Sequence, residues 1–193
     1  AKVGTARSYC TVTVGALRVR KLTLNKRRIV LKAGRDGYQL DYVTTPRNAD
    51  NPAVIWGSSR PSVASVDRLT GYVTPHKPGT ALIMCRAADG SKTKAYCTVV
   101  VKPVVPTALT LSSTELNVNR WATAPIVATI APADATDKRI YWSSSNPSVA
   151  TVSGGIVTGR GFGKAVITAK TRSGAVKARC TVNVGYYTTE FRA

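Results

Sequence analysis

The side chains able to do chemistry in this chain are four cysteines, one histidine and nine acids, set against 28 lysines and arginines. His76 sits in Thr74-Pro-His-Lys-Pro-Gly79, a turn-forming sequence in which polar residues are exposed by default. The acids fall singly along the chain, so no close pair suggests general acid–base work. Asp134 and Asp137 are near neighbours, but a hard cation takes about six oxygens, and no other oxygen donors converge with them. No Cys-x-x-Cys spacing marks a zinc site. These residues predict a chain with no catalytic set, no metal and no cofactor.

The cysteines and the cations carry more pattern. Cys10, Cys97 and Cys180 occupy one recurring strand position, in Tyr9-Cys-Thr-Val12, Tyr96-Cys-Thr-Val99 and Arg179-Cys-Thr-Val182. Their parity points inward, where an unpaired cysteine behaves as a small hydrophobe. Cys85 has no cysteine counterpart, its match being Ala169. A Cys85–Cys97 bridge is geometrically allowed across one hairpin, but free thiols are the expected state. The net charge is +19, with 18 basic and 5 acidic residues in 1–102 (+13) and 10 and 4 in 103–193 (+6). The richest run is Arg18, Arg20, Lys21, Lys26, Arg27, Arg28, Lys32 and Arg35, with no acid between them. Its later counterpart reads Ser112-Ser-Thr-Glu115, so the fold does not require it. Lys92 and Lys94 alternate with core positions of one strand, and Lys177 and Arg179 with those of its copy. Arg86, Lys170 and Arg172 lie across the same hairpins. Two readings of these cations stand open: a solvated face that keeps a sheet edge from aggregating, or a positive stripe that meets acidic partners.

The elements that must carry these residues come in two copies. Trp56-Gly-Ser-Ser-Arg-Pro-Ser-Val-Ala-Ser-Val66 returns as Trp142-Ser-Ser-Ser-Asn-Pro-Ser-Val-Ala-Thr-Val152. Pro46 matches Pro132, Gly71-Tyr-Val-Thr74 matches Gly155-Ile-Val-Thr158, and Gly79 matches Gly163. A period of this size is a small domain copied in tandem, too long for a solenoid repeat. Within each copy, apolar residues alternate in short runs, as in Leu22 and Leu24, Ala81, Ile83 and Cys85, and Cys97, Val99 and Val101. Gly, Pro and Asp-Gly turns punctuate them, which reads as an all-β sandwich. Trp56 and Trp142, with Cys97 and Cys180, are the expected core. Trp121 is outside the repeated slots, as a surface anchor or as local packing.

At these residues the chain resembles the bacterial immunoglobulin-like group-two domain, the module of invasin- and intimin-type adhesins. The resemblance rests on the Trp-x-Ser-Ser…Pro-Ser-Val-Ala-x-Val stretch, the Gly-x-Val-Thr turn, the Gly79 or Gly163 step and the closing Cys-Thr-Val-x-Val strand. It covers about 16–185, and copy two departs at Phe162-Gly163, where copy one has Pro78-Gly79. It implies tandem Ig-like Greek-key β-sandwiches without catalytic activity, on a bacterial surface or cell wall or on a phage virion. The strong positive charge is not a hallmark of that family.

The expected organisation is therefore 1–15 as the closing strand of a preceding copy or a donor strand, 16–102 and 103–185 as Ig-like domains, and 186–193 as a tail. Lys102-Pro-Val-Val-Pro-Thr107 predicts a short, stiff, extended connection and hence a rod. The lack of an initiator Met suggests a processed or partial chain, and no apolar run approaches the ~20 residues of a membrane helix. The expected role is a spacer and contact unit of a longer surface or virion protein. The alternative is a polyanion-binding module. Partners follow from this: neighbouring Ig-like copies or subunits, an acidic polymer or acidic protein surface, and homo-oligomers through terminal strands. Candidate contacts are Arg18, Arg20, Lys21, Lys26, Arg27, Arg28, Lys32, Arg35, Lys92, Lys94, Lys177 and Arg179.

Overall fold

A computed structural model describes residues 10–187 and divides the chain between Lys102 and Pro103 into two compact units. Among the described residues there is no helix. The first unit holds β1 (Lys21–Leu24), β2 (Arg28–Lys32), β3 (Tyr38–Gln39), β4 (Tyr42–Thr45), β5 (Val54–Ser58), β6 (Ala64–Val66), β7 (Tyr72–Pro75), β8 (Gly79–Ala87) and β9 (Lys94–Lys102). The second repeats the order as β10 (Ala108–Leu111), β11 (Glu115–Asn119), β12 (Thr123–Pro125), β13 (Ala128–Ala131), β14 (Ile140–Ser144), β15 (Ala150–Ser153), β16 (Ile156–Gly159), β17 (Gly163–Thr171) and β18 (Lys177–Gly185).

Each unit is a sandwich with one four-stranded sheet, β2-β9-β8-β5 or β11-β18-β17-β14. Opposite it lie the three-stranded sheet β3-β7-β6 or β12-β16-β15 and the pair β1-β4 or β10-β13. β2 runs parallel to β9 and β11 parallel to β18, while the other pairs are antiparallel. The two-residue side-chain period explains the core. On β9, Cys97, Val99 and Val101 are buried, and on β18 so are Cys180, Val182 and Val184. The units have separate apolar clusters.

The two tryptophans are not equivalent. Trp56 is 3 % exposed, faces Cys85 across the strand pair and meets Tyr42 edge-on at 6.2 Å. The turn Asp67–Thr70 closes over that region, drawn in by the Asp67 carboxylate, which accepts from the Leu69 and Thr70 N–H groups. Behind it, Gly71 (φ 80°) is obligatory, because a Cβ there would lie 2.6 Å from the indole. Trp142 departs from the buried position its spacing predicts and is only half-buried. Two substitutions account for this. Tyr42 is replaced by Ala128 at the same register, opposite Leu111 where Tyr42 is opposite Leu24. The five-residue turn is cut to Gly154-Gly155, both at positive φ, as a two-residue hairpin turn requires. A cleft of about 310 Å³ opens beside Trp142, lined also by Ile126, Ala128 and Ile140.

The cysteines divide in the same way. Cys85, Cys97 and Cys180 are buried free thiols, whereas Cys10 is exposed, contrary to its inward parity. Residues 10–20 carry no strand pairing, so no sheet covers the Cys10 side chain. The rest of the expected strand 5–14, through residue 9, and the tail from 188 lie outside the described residues. Burial pushes the Cys85 thiol up to about 12 and raises those of Cys97 and Cys180, since an apolar interior disfavours the thiolate.

Two outcomes follow. Trp56→Ala is expected to cost about 3–5 kcal/mol of first-unit stability, the range for large aromatics in cores, and Trp142→Ala distinctly less in the second unit. Equilibrium unfolding of both variants checks this. Thiol labelling of the native chain at pH 8 is expected to modify Cys10 at once, and Cys85, Cys97 and Cys180 only after denaturation. Mass spectrometry of timed samples reads that order.

Candidate anion-binding surface

The basic run between Arg18 and Arg35 does not stay together in space. β1 pairs with β4 in one layer and β2 with β9 in the other, so the chain crosses between sheets at Asn25-Lys26-Arg27. That crossing is held at both ends. The Asn25 N–H donates to the Asp41 carbonyl at 3.0 Å and its side-chain amide to the Asp41 carboxylate at 3.0 Å, while Thr98 N–H donates to the Arg27 carbonyl at 2.9 Å. Pairing of β2 with β9 begins only at Thr98. The Lys94–Tyr96 stretch of β9 is therefore flanked by a gap of about 300 Å³.

Lys21, Arg27 and Lys94 line this cleft with Tyr96, over Leu22 and Ala95. No acid lines it. A recess with walls of one sign raises the local concentration of counter-charge, and three cations beside a tyrosine hydroxyl can hold a phosphate, sulfate or carboxylate group. Sequence reasoning found Lys21, Arg27 and Lys94 but missed Tyr96. Its outward parity on β9, opposite to that of Cys97, was the available signal.

The remaining candidates are distributed elsewhere. Arg28 and Lys32 point outward from β2, and Lys32 lies directly beside Lys102. Arg86 and Lys94 face each other across β8 and β9. Like charges placed directly opposite are unfavourable, and no acidic residue of β2, β5, β8 or β9 offsets them. Arg18 is close enough to Asp89 to help hold its carboxyl low, after the larger effects of the Ser91 and Val19 hydrogen bonds. Lys26 is exposed at the crossing, Arg20 precedes β1, Arg35 is in the turn after β2, and Lys92 (φ 63°) in the turn before β9. The run is thus one cleft plus dispersed cations.

The second unit treats the same face differently. Lys177 still faces Lys170, but Arg179 takes the place of Tyr96 and Glu115 that of Arg28. The Asn183 amide donates to the Glu115 carboxylate at 2.8 Å and to Asn117 at 3.0 Å. Asp137 binds Arg139 at 2.7 Å, and that hydrogen bond holds its carboxyl at about 2. His76 is exposed with its Nε2 2.8 Å from the Ser65 hydroxyl. Among the described residues, no three or more His, Cys, Asp or Glu side chains are grouped to hold a metal.

Known proteins resemble this chain in sequence. The family described as bacterial Ig-like domain (group 2) matches residues 18–99 and 105–182. An uncharacterized protein of Clostridium acetobutylicum is 33% identical over 147 residues, covering 75% of this chain and 15% of that protein. An Ig-like virion protein of the Serratia phage KSP90 is 31% identical over 157 residues, covering 78% and 60%. The chain thus spans less than two thirds of either relative. Among solved structures, domains 1–6 of the surface layer protein SbsC are similar at 21% identity and a TM-score of 0.44, over 91% of this chain and 29% of that one.

Proposed function

The chain belongs to the bacterial Ig-like domain (group 2) family, and from that premise we propose that it is a non-catalytic structural and adhesive module of a longer protein. It acts at a bacterial surface or on a virion, spacing other parts and making contacts through its sheet faces. The likeness to a phage Ig-like virion protein supports that setting. The recurrence of the inward residues of the central strands in both units, Cys97, Val99 and Val101 matching Cys180, Val182 and Val184, supports a scaffold role.

One observation favours a polyanion contact in the first unit. Lys21, Arg27 and Lys94 converge with Tyr96 in one acid-free cleft, and the second unit has Ala108, Thr114 and Arg179 where the first has Lys21, Arg27 and Tyr96. Packing does not call for this charge, and a cell-wall polymer, a glycan or a nucleic acid supplies its complement. The exposed cations around it, from Arg18 to Arg35, raise the encounter rate with such a polymer.

The test is a titration of the full chain against heparin, polyglutamate and duplex DNA at two salt concentrations. Lys21→Ser, Arg27→Ser and Lys94→Ser together are expected to weaken binding to the preferred polymer and to lower the salt slope, by roughly one for each cation–phosphate pair removed. The control, Lys177→Ser with Arg179→Ser, removes charge from the second unit and is expected to leave the slope nearly unchanged. Equal weakening in both variants would leave only the net charge at work, and no binding at low salt would end the polyanion reading.

A further inference from the structure

A second surface, in the other unit, is built against its own backbone preference. Asn119–Ala122 form a tight turn in which Ala122 N–H donates to the Asn119 carbonyl at 3.0 Å. The third residue of that turn, Trp121, has φ 69°. The first unit makes the same turn at Lys32–Arg35 and has Gly34 there, at φ 64°. Positive φ at the third turn position selects glycine, and a bulky side chain in the left-handed region is an outlier. Burial does not hold Trp121 in place, because the residue is 64% exposed. An outlier of this kind persists where surrounding bonds over-determine it, and it points toward function. Here Trp121 N–H donates to Gly159 at 2.9 Å and Arg120 N–H to Gly185 at 3.2 Å.

The neighbours complete a platform. The Arg120 guanidinium carbon lies 4.8 Å from the Trp121 ring centre and 5.4 Å from that of Phe162. Its Nε–H donates to the Arg160 carbonyl at 3.1 Å, which fixes the fork in place. Phe162 packs on Tyr186 at 4.9 Å, and both rings are exposed. The first unit has Ala33, Gly34, Pro78 and Pro103 at these four positions. Three rings and an arginine that the sandwich does not need therefore gather at the turns flanking β12 and β17 and at the end of β18.

We propose that this cluster is a binding site for an acidic saccharide, a uronic acid or a sulfated sugar. The C–H face of the sugar ring covers the open face of the Trp121 indole, whose π-cloud is negative toward polarised C–H groups. The Arg120 guanidinium lies over the other face of the Trp121 ring and against Phe162, so the carboxylate or sulfate reaches past the indole rim to the edge of the guanidinium, where the Nη groups that the Arg160 carbonyl leaves free can donate to it. A single-stranded nucleic acid needs successive base-stacking platforms along a track, and the Phe162 and Tyr186 rings are tilted 58° from each other. One open indole beside one cation fits one sugar ring. The site is independent of the first-unit cleft.

The decisive variant is Trp121→Gly, which installs the residue that the first unit uses at this φ. It is made in the full chain carrying Lys21→Ser, Arg27→Ser and Lys94→Ser, so that the first-unit cleft adds nothing. The probes are an oligogalacturonate and a heparin-derived hexasaccharide, with a neutral cello-oligosaccharide and a single-stranded oligonucleotide alongside. Calorimetry measures affinity, and indole fluorescence reports stacking on Trp121. The expected result is that Trp121→Gly keeps or raises Tm while weakening the acidic saccharides about tenfold or more, the scale of a single aromatic stacking interaction. Arg120→Gln is expected to erase the preference for acidic over neutral sugar. A lower Tm for Trp121→Gly would make the indole structural and overturn the proposal. So would unchanged saccharide binding, or an oligonucleotide that binds more tightly than either acidic sugar through Trp121.

Discussion

The strict alternation of side chains across each strand is the constraint on which the rest of this protein depends. On β9 it sends Cys97, Val99 and Val101 inward and leaves Lys94, Tyr96 and Lys102 outward, and β18 repeats the pattern with Cys180, Val182 and Val184. A one-residue slip would exchange the two sets and place lysines in the core. The long pairing of β8 with β9, from Gly79↔Val101 to Arg86↔Lys94, fixes that register, as the β17–β18 pairing does in the second unit. Given the register, the inner half of each strand is committed to packing and the outer half is free to vary.

The two units are each other's control for that freedom. The inner residues of their long strands recur, apart from the differences around Trp142, and their outer faces have parted. In the first unit Arg28, Val30 and Val100 stand where the second has Glu115, Asn117 and Asn183. A sandwich that folds with either set does not depend on the identity of these outward residues for its packing. The same logic separates Gly34 from Trp121. The turn needs a positive φ, glycine meets that need without strain, and the tryptophan meets it against its own preference.

Periodicity made the cores legible in the sequence, because burial and strand period are one signal. Cys97, Cys180 and Trp56 could be read that way. Trp142 could not be read fully, since its exposure is decided by what covers it, and Ala128 and the shortened Gly154-Gly155 turn are remote in sequence. Cys10 shares the parity of Cys97, but parity means burial only where a second sheet lies above. The basic run was misleading for a topological reason. Neighbours in sequence at Lys21 and Arg28 belong to opposite layers, while Lys94 reaches the same cleft as Arg27 from a distant strand. Linear charge counting sees the excess and not the crossing that sorts it.

In the proposed function, repeated packing makes the scaffold and unrepeated outward residues of the first unit contact a polyanion. A residue-resolved amide-shift titration of the full chain with the preferred polyanion, at low and at high salt, tests it most directly. The account predicts shifts concentrated at residues 20–28 and 94–98, fading at high salt as charge is screened, with core amides of both units unmoved. Shifts of equal size around Lys177 and Arg179, or spread evenly over every exposed cation, would contradict it.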